Sequence, residues 1–238
     1  AVYGIVTWVK TDKTKSFIIA IIGFIGAMCF HGAMFLGLLI FIAIVIALKI
    51  KIFFKMLMKL KISFKNLILI SLIALSFTYY VSNNIHVSYL GSFEKLTNID
   101  KLMRKTNVST RGNASWPKFT VINSPSEFLY KGPLRSLYVI FSPFPWDIKQ
   151  KRHLIGLLDS TIYLYLSFLI LRNIKMIWTD PALRIILILL LSYIYIFGIG
   201  VGNFGTGIRH RSKFVIMFII LAAPFLPKFI FSKKEKID

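Results

Sequence analysis

Residues 16–48 read SFIIAIIGFIGAMCFHGAMFLGLLIFIAIVIAL, and this run decides the fold class. It carries no formal charge apart from a chargeable His31. A helix rises ~1.5 Å per residue and a hydrocarbon core is ~30 Å thick, so about 20 apolar residues cross it. At 33 residues the run exceeds one ordinary span. It predicts either one tilted helix or two short ones meeting around His31-Gly32.

The rest of the chain repeats that character. Of 238 residues 56% are hydrophobic, and the mean hydropathy of +0.72 lies far above that of a soluble domain. Four further apolar runs fall near 66–81, 154–171, 185–201 and 214–226. Together they predict an all-α, polytopic transmembrane helix bundle, a single transmembrane domain over 1–238. The chain opens on Ala1, with no charged n-region, apolar core and cleavage site in sequence. That start predicts the C-terminal part of a larger polytopic protein.

Thirty Lys and Arg stand against nine acidic residues, a net charge of +21. They lie mostly between the apolar runs, where they meet water, lipid phosphate or an anionic substrate. The runs leave no separate soluble basic domain, so nucleic acid is excluded as a partner and membrane lipid is expected. The single cysteine, Cys29, lies inside an apolar run, which excludes an intrachain disulfide and a cysteine metal cluster.

Basic residues in short connections set the orientation. Lys49, Lys51, Lys55, Lys59, Lys61 and Lys65 crowd one connection and mark it as cytoplasmic. Counting onward puts 82–153 outside, 172–184 inside, 202–213 outside, and the tail with Lys228, Lys233, Lys234 and Lys236 inside. A hairpin within 16–48 also brings Lys10, Lys13 and Lys15 inside. Residues 82–132, with turn formers at Asn83-Asn84, Gly112-Asn113 and Ser124-Pro125, predict a structured extracytoplasmic loop. Its Arg104, Lys105, Arg111, Lys118 and Lys131, with Arg135 just beyond, make this region basic, by default as solvated charge. In 136–153 aromatics lead to two prolines, Trp146 and a basic run, an order that predicts an interfacial segment.

Residues 200–213, GVGNFGTGIRHRSK, spell the letters of a dinucleotide loop with Gly200, Gly202 and Gly205. That motif needs a preceding strand, a following helix and an acid about 20 positions on, and here apolar spans flank it. The glycines instead free backbone N–H groups for close approach, while Arg209, His210, Arg211 and Lys213 supply charge suited to a phosphate. Arginine pairs phosphate oxygens in bidentate fashion and keeps its proton. The competing interpretation is a flexible loop whose cations anchor to headgroups.

His31, at membrane depth, reads as a base or substrate partner, or as a neutral histidine bonded at a helix break. Asp159, about one and a half turns into its span, reads as a positioning carboxylate or arginine partner, or as an interfacial acid near a helix start. Trp116, Trp146, Tyr130 and Tyr138 suit sugar stacking and interfacial belts equally. No H-E-x-x-H, G-x-S-x-G, P-loop or spaced Cys/His set occurs.

At RGNASWPKF (111–119), SPFPWDIKQKRHLIGLLDS (142–160) and GVGNFGTGIRHRSKF (200–214) the chain resembles the C-terminal half of polytopic bacterial membrane proteins of surface-polysaccharide synthesis. O-antigen and exopolysaccharide polymerases are the nearest label. The resemblance implies a multi-pass protein of the bacterial inner membrane whose periplasmic face holds polyprenyl-diphosphate-linked oligosaccharide. A new glycosidic bond displaces the lipid diphosphate, with no cofactor, metal or nucleotide. It implies Arg209 and Arg211 as diphosphate contacts, His210 beside them, and His31 as a membrane-embedded histidine, although H-G-A here replaces the H-x-S-like pattern of related ligases. The combined expectation names His31, Asp159 and His210 as catalytic, and Arg209, Arg211, Lys213, Arg111, Trp116 and Trp146 as substrate-binding. Two alternatives stand beside it: a transferase using a polyprenyl monophosphate sugar, and a non-enzymatic translocator or accessory subunit working with other polysaccharide-assembly proteins.

Overall fold

A computed structural model of the chain describes residues 1–11, 13–30, 33–48, 103, 107, 114–151 and 153–227. His31, Arg111, the run at 66–81 and the tail lysines lie outside the described residues. Among those described, every regular element is a helix, and the sole β-type contact is an isolated bridge between Ser115 and Asn203. The helices are α1 (Val2–Thr11), α2 (Thr14–Phe30), α3 (Ala33–Leu48), α4 (Glu127–Phe141), α5 (His153–Arg172), α6 (Ile174–Thr179), α7 (Pro181–Gly200), α8 (Phe204–Arg211) and α9 (Val215–Ala222).

Two of them, α5 and α7, are long and apolar enough to cross a membrane. Helix α7 starts sharply: Pro181 presets φ at its first position, and the Asp180 carboxylate accepts from the Ala182 and Leu183 amides at 2.7 and 2.9 Å. It forms the centre of the fold, packing against α1, α3, α4, α6 and α9. Its crossing with α4 is close because small residues meet there. A Cβ on Gly198 would lie 2.7 Å from the Ser136 amide nitrogen and Oγ. Ser136 in turn donates to the Gly132 and Ile194 carbonyls.

Helix α5 is apolar on both sides. Its buried stripe runs through His153, Gly156, Ser160 and Tyr163 to Leu166, Leu169 and Ile170, while Ile155, Leu158, Ile162, Phe168 and Leu171 are exposed. A surface helix of a soluble protein turns polar residues outward instead.

After α7 the chain folds back along α5. The Phe204 ring meets His153 at 4.7 Å, the Tyr163 hydroxyl donates to the Arg211 carbonyl at 3.2 Å, and Phe218 meets Tyr163 at 5.2 Å. Contacts therefore advance along α5 as the chain advances through α8 and α9. Residues 202–213, expected as an outer loop, are in large part this first limb of the return. The limb is interrupted at Ser212–Phe214, where Lys213 and Phe214 donate to the His210 and Arg211 carbonyls, three residues back in each case. Helix α4 likewise runs across the boundary between the expected loop at 82–132 and the expected interfacial segment at 136–153.

Candidate functional site

Among the described residues two arginines are fully buried, and each closes the carboxyl end of a helix. The last carbonyls of a helix have no partner inside it and carry the negative end of its dipole. Arg135, from α4, answers this for α7. Its Nε donates to the Gly198 carbonyl at 3.0 Å, Nη2 to those of Ile199 and Val201, and Nη1 to Thr120 at 2.8 Å. The Trp116 ring covers the guanidinium at 5.2 Å. Burial lowers the Arg135 pKa to about 10, which still leaves a full cation at neutral pH. Sequence reasoning grouped Arg135 with solvated outer charge. The signal that marks it is a lone cation opening the apolar run SLYVIF.

Arg211 does the same for α4. Its Nη1 donates to the Ile140 and Ser142 carbonyls at 2.5 and 2.9 Å and to Ser160 Oγ at 3.2 Å. Nε and Nη2 both reach Asp159 Oδ2, at 2.7 and 2.6 Å, and Nη2 also faces the Gly156 carbonyl at 3.3 Å. A guanidinium has five N–H donors, and all five are directed at protein acceptors here. Arg211 was expected to hold a diphosphate. In this arrangement it is instead the tie between α4, α5 and α8, because no donor remains for a phosphate. Asp159 is its counter-ion, the arginine-partner alternative for that residue.

The neighbouring cations point elsewhere because successive helical residues are turned by about 100°. Phe204, Gly207, His210 and Arg211 face inward, while Gly205, Arg209, Ser212 and Lys213 are exposed. His210 is buried with its ring 4.8 Å from Phe197. Its Nδ1 lies 2.9 Å from Lys213 Nζ, which also sits 5.3 Å from the centre of the Phe197 ring. Burial, and after it the charge of Arg209, lowers the Lys213 pKa. His210 and Lys213 are thus brought together, and Asp159 pairs with Arg211.

The glycine-rich turn is pinned from the other side. The Trp116 amide donates to the Gly202 carbonyl at 2.9 Å and the Phe204 amide to Ala114 at 3.0 Å. Asn203 Oδ1 accepts from the Thr206 amide at 2.8 Å. No strand precedes these glycines, so the dinucleotide reading lacks its geometry. Trp116 is buried, which removes it as a sugar-stacking surface. Its indole packs 5.6 Å from Tyr138, and its Nε1 has no hydrogen-bond partner. Trp146 is 71% exposed and lies face to face on Phe144 at 4.8 Å.

Among the described residues no three His, Cys, Asp or Glu side chains gather in a metal-binding group. Comparison with protein-family models, with curated proteins and with solved structures finds no match.

Proposed function

We propose that this chain is a multi-pass bacterial inner-membrane protein of surface-polysaccharide synthesis. In this reading it polymerises or transfers oligosaccharide held on a polyprenyl diphosphate at the outer face. The exposed apolar side chains of α5 support membrane burial, since such a face is unfavourable in water and neutral in lipid. Helices α5 and α7 then cross, and α8 with α9 forms the return limb of a polytopic bundle. Arg172, Lys175 and Arg184 take the cytoplasmic side, and α8 enters from the outer side.

One observation carries the anion-binding part. Arg209 and Lys213 are exposed like charges four residues apart, and after burial the charge of Arg209 is the next cause that lowers the Lys213 pKa. The ion pairs among the described residues, Lys131–Glu127 and Arg211–Asp159, involve neither. Like charges that face one another repel, and a diphosphate between them removes that repulsion. The resemblance over GVGNFGTGIRHRSKF adds the lipid-linked glycan as the class of anion.

The test is Arg209→Ala and Lys213→Ala in the full-length protein, read as surface glycan chain length. Both residues are exposed, so normal protein levels with shortened chains are expected; long chains at wild-type levels would overturn the proposal. A second reading, a translocator or accessory subunit binding the same carrier, is favoured by one observation. The Asp159 carboxylate is directed at Arg211 rather than at the exposed cations, so it does not face an acceptor hydroxyl bound there.

A further inference from the structure

The exposed cations are not equivalent in how they are held. Arg209 projects from α8, whereas Lys213 follows the helix and reaches back to a buried ring. A lysine ammonium only donates hydrogen bonds, so the His210 Nδ1 at 2.9 Å must accept. An accepting Nδ1 carries no proton, which places the ring proton of neutral His210 on Nε2. The ring cannot swing away easily, since it is buried against Phe197. The face of that same Phe197 ring also lies beneath the ammonium, a favourable place for a cation.

We infer that His210 is a positioning residue that fixes the Lys213 ammonium beside Arg209, so that the two cations meet one phosphoryl group in a preset geometry. This inference rests on the anion-binding reading of the site and deepens it. An exposed lysine on a four-carbon stem otherwise samples many rotamers, and a like-charged neighbour biases it away. A fixed acceptor removes that freedom before the anion arrives, so binding does not have to order the side chain. His210 therefore acts through Lys213, not on the substrate, in contrast to the catalytic role expected from sequence.

The experiment uses full-length protein in detergent, titrated with inorganic pyrophosphate. His210→Phe keeps a buried ring and removes the acceptor, while His210→Asn places a carbonyl oxygen near the position of Nδ1. Loss of one charge-assisted contact predicts about tenfold weaker binding for both Lys213→Ala and His210→Phe. The double variant should bind no more weakly than Lys213→Ala alone, and His210→Asn should bind like wild type. Wild-type affinity in His210→Phe with a weakened Lys213→Ala would overturn the positioning role and leave the anion site standing. Wild-type affinity in both Arg209→Ala and Lys213→Ala would overturn the site itself.

Vesicles separate the sources of phosphate. Binding is expected to be tighter to phosphatidylcholine vesicles carrying polyprenyl diphosphate than to vesicles carrying phosphatidylglycerol; equal binding overturns the diphosphate assignment. Should His210→Phe not fold, nitrogen-15 histidine resonances of the wild-type protein decide the matter. An Nε2–H tautomer is expected, and a protonated Nδ1 overturns the inference.

Discussion

Replacing Arg211 by alanine tests whether this residue is a structural tie or a ligand contact. The substitution removes every donor that serves the Ile140 and Ser142 carbonyls at the end of α4, and the partner of Asp159. Each buried carbonyl left unpaired costs about 1–3 kcal/mol. Asp159 adds little, because its side chain is 38% exposed and can turn to water. The sum for the two carbonyls is about 2–6 kcal/mol, against a total stability of roughly 5–15 kcal/mol. For a chain of this size that corresponds to a fall in melting temperature of roughly 4–24 °C. Asp159→Asn keeps an acceptor and leaves the carbonyl bonds intact, so a loss of only about 1 kcal/mol is expected. Combined with Arg211→Ala it should add almost nothing, because the bond it weakens is already absent. The measurement is thermal unfolding of the detergent-solubilised protein for the two single variants and the double. A melting temperature for Arg211→Ala within ~2 °C of wild type would sink the tie, since that is less than ~1 kcal/mol. Additive losses from the two substitutions would show that Asp159 and Arg211 do not act as a pair.

Three further outcomes follow from the packing and capping. Gly198→Val forces side-chain atoms onto Ser136, where even a Cβ would lie at 2.7 Å, and overpacking of this kind destabilises by about 1–3 kcal/mol; an unchanged melting temperature would show that α4 and α7 do not cross there. Asp180→Ala removes the cap of α7 and should lower stability by about 1 kcal/mol, with Asp180→Ser recovering most of it in the same unfolding assay. The hydrogen bond from Lys131, followed by the Asn123 amide, lowers the Glu127 pKa from 4.5. A lowered carboxyl pKa gives stability that is fully present above pH 4.5 and is lost as pH falls through the lower folded value. Wild type should therefore exceed Glu127→Gln in melting temperature at pH 7 and converge with it below that window. A difference that persists unchanged at pH 3 would refute the linkage.

The spans at 154–171 and 185–201 were legible because a long apolar run leaves a helix few alternatives. Helix α5 extends the first by one residue at each end, and α7 starts four residues before the second and stops one residue short of its end. The start of α7 at Pro181 was also written locally, in the Asp-Pro pair, although hydropathy alone drew it later. Helix α4 was not legible, because Pro125, Pro133 and the polar residues between them carry turn signals that packing against α7 overrides. Helix α8 was obscured by glycine. Gly205 and Gly207 have low helix propensity, and a Cβ at Gly207 would meet the Val139 carbonyl at 3.6 Å, an ordinary contact that does not itself require glycine. The cationic cluster was found as a string but not as a surface. Adjacent letters on a helix diverge by about 100°, which sends Arg211 into the core and Arg209 outward. Nothing in a single sequence pairs Arg211 with Asp159, 52 positions away, or Arg135 with carbonyls 63 to 66 positions away.

The two arginine closures also impose an order on synthesis. Helix α7 is sealed by a residue of α4, which precedes it in the chain, so its cap is already present when α7 emerges. Helix α4 is sealed by Arg211, which follows it by about seventy residues. From the time α4 is made until α8 arrives, its carbonyl end has to be satisfied by water, headgroups or a chaperone. The final few residues of α8 complete a helix translated long before them.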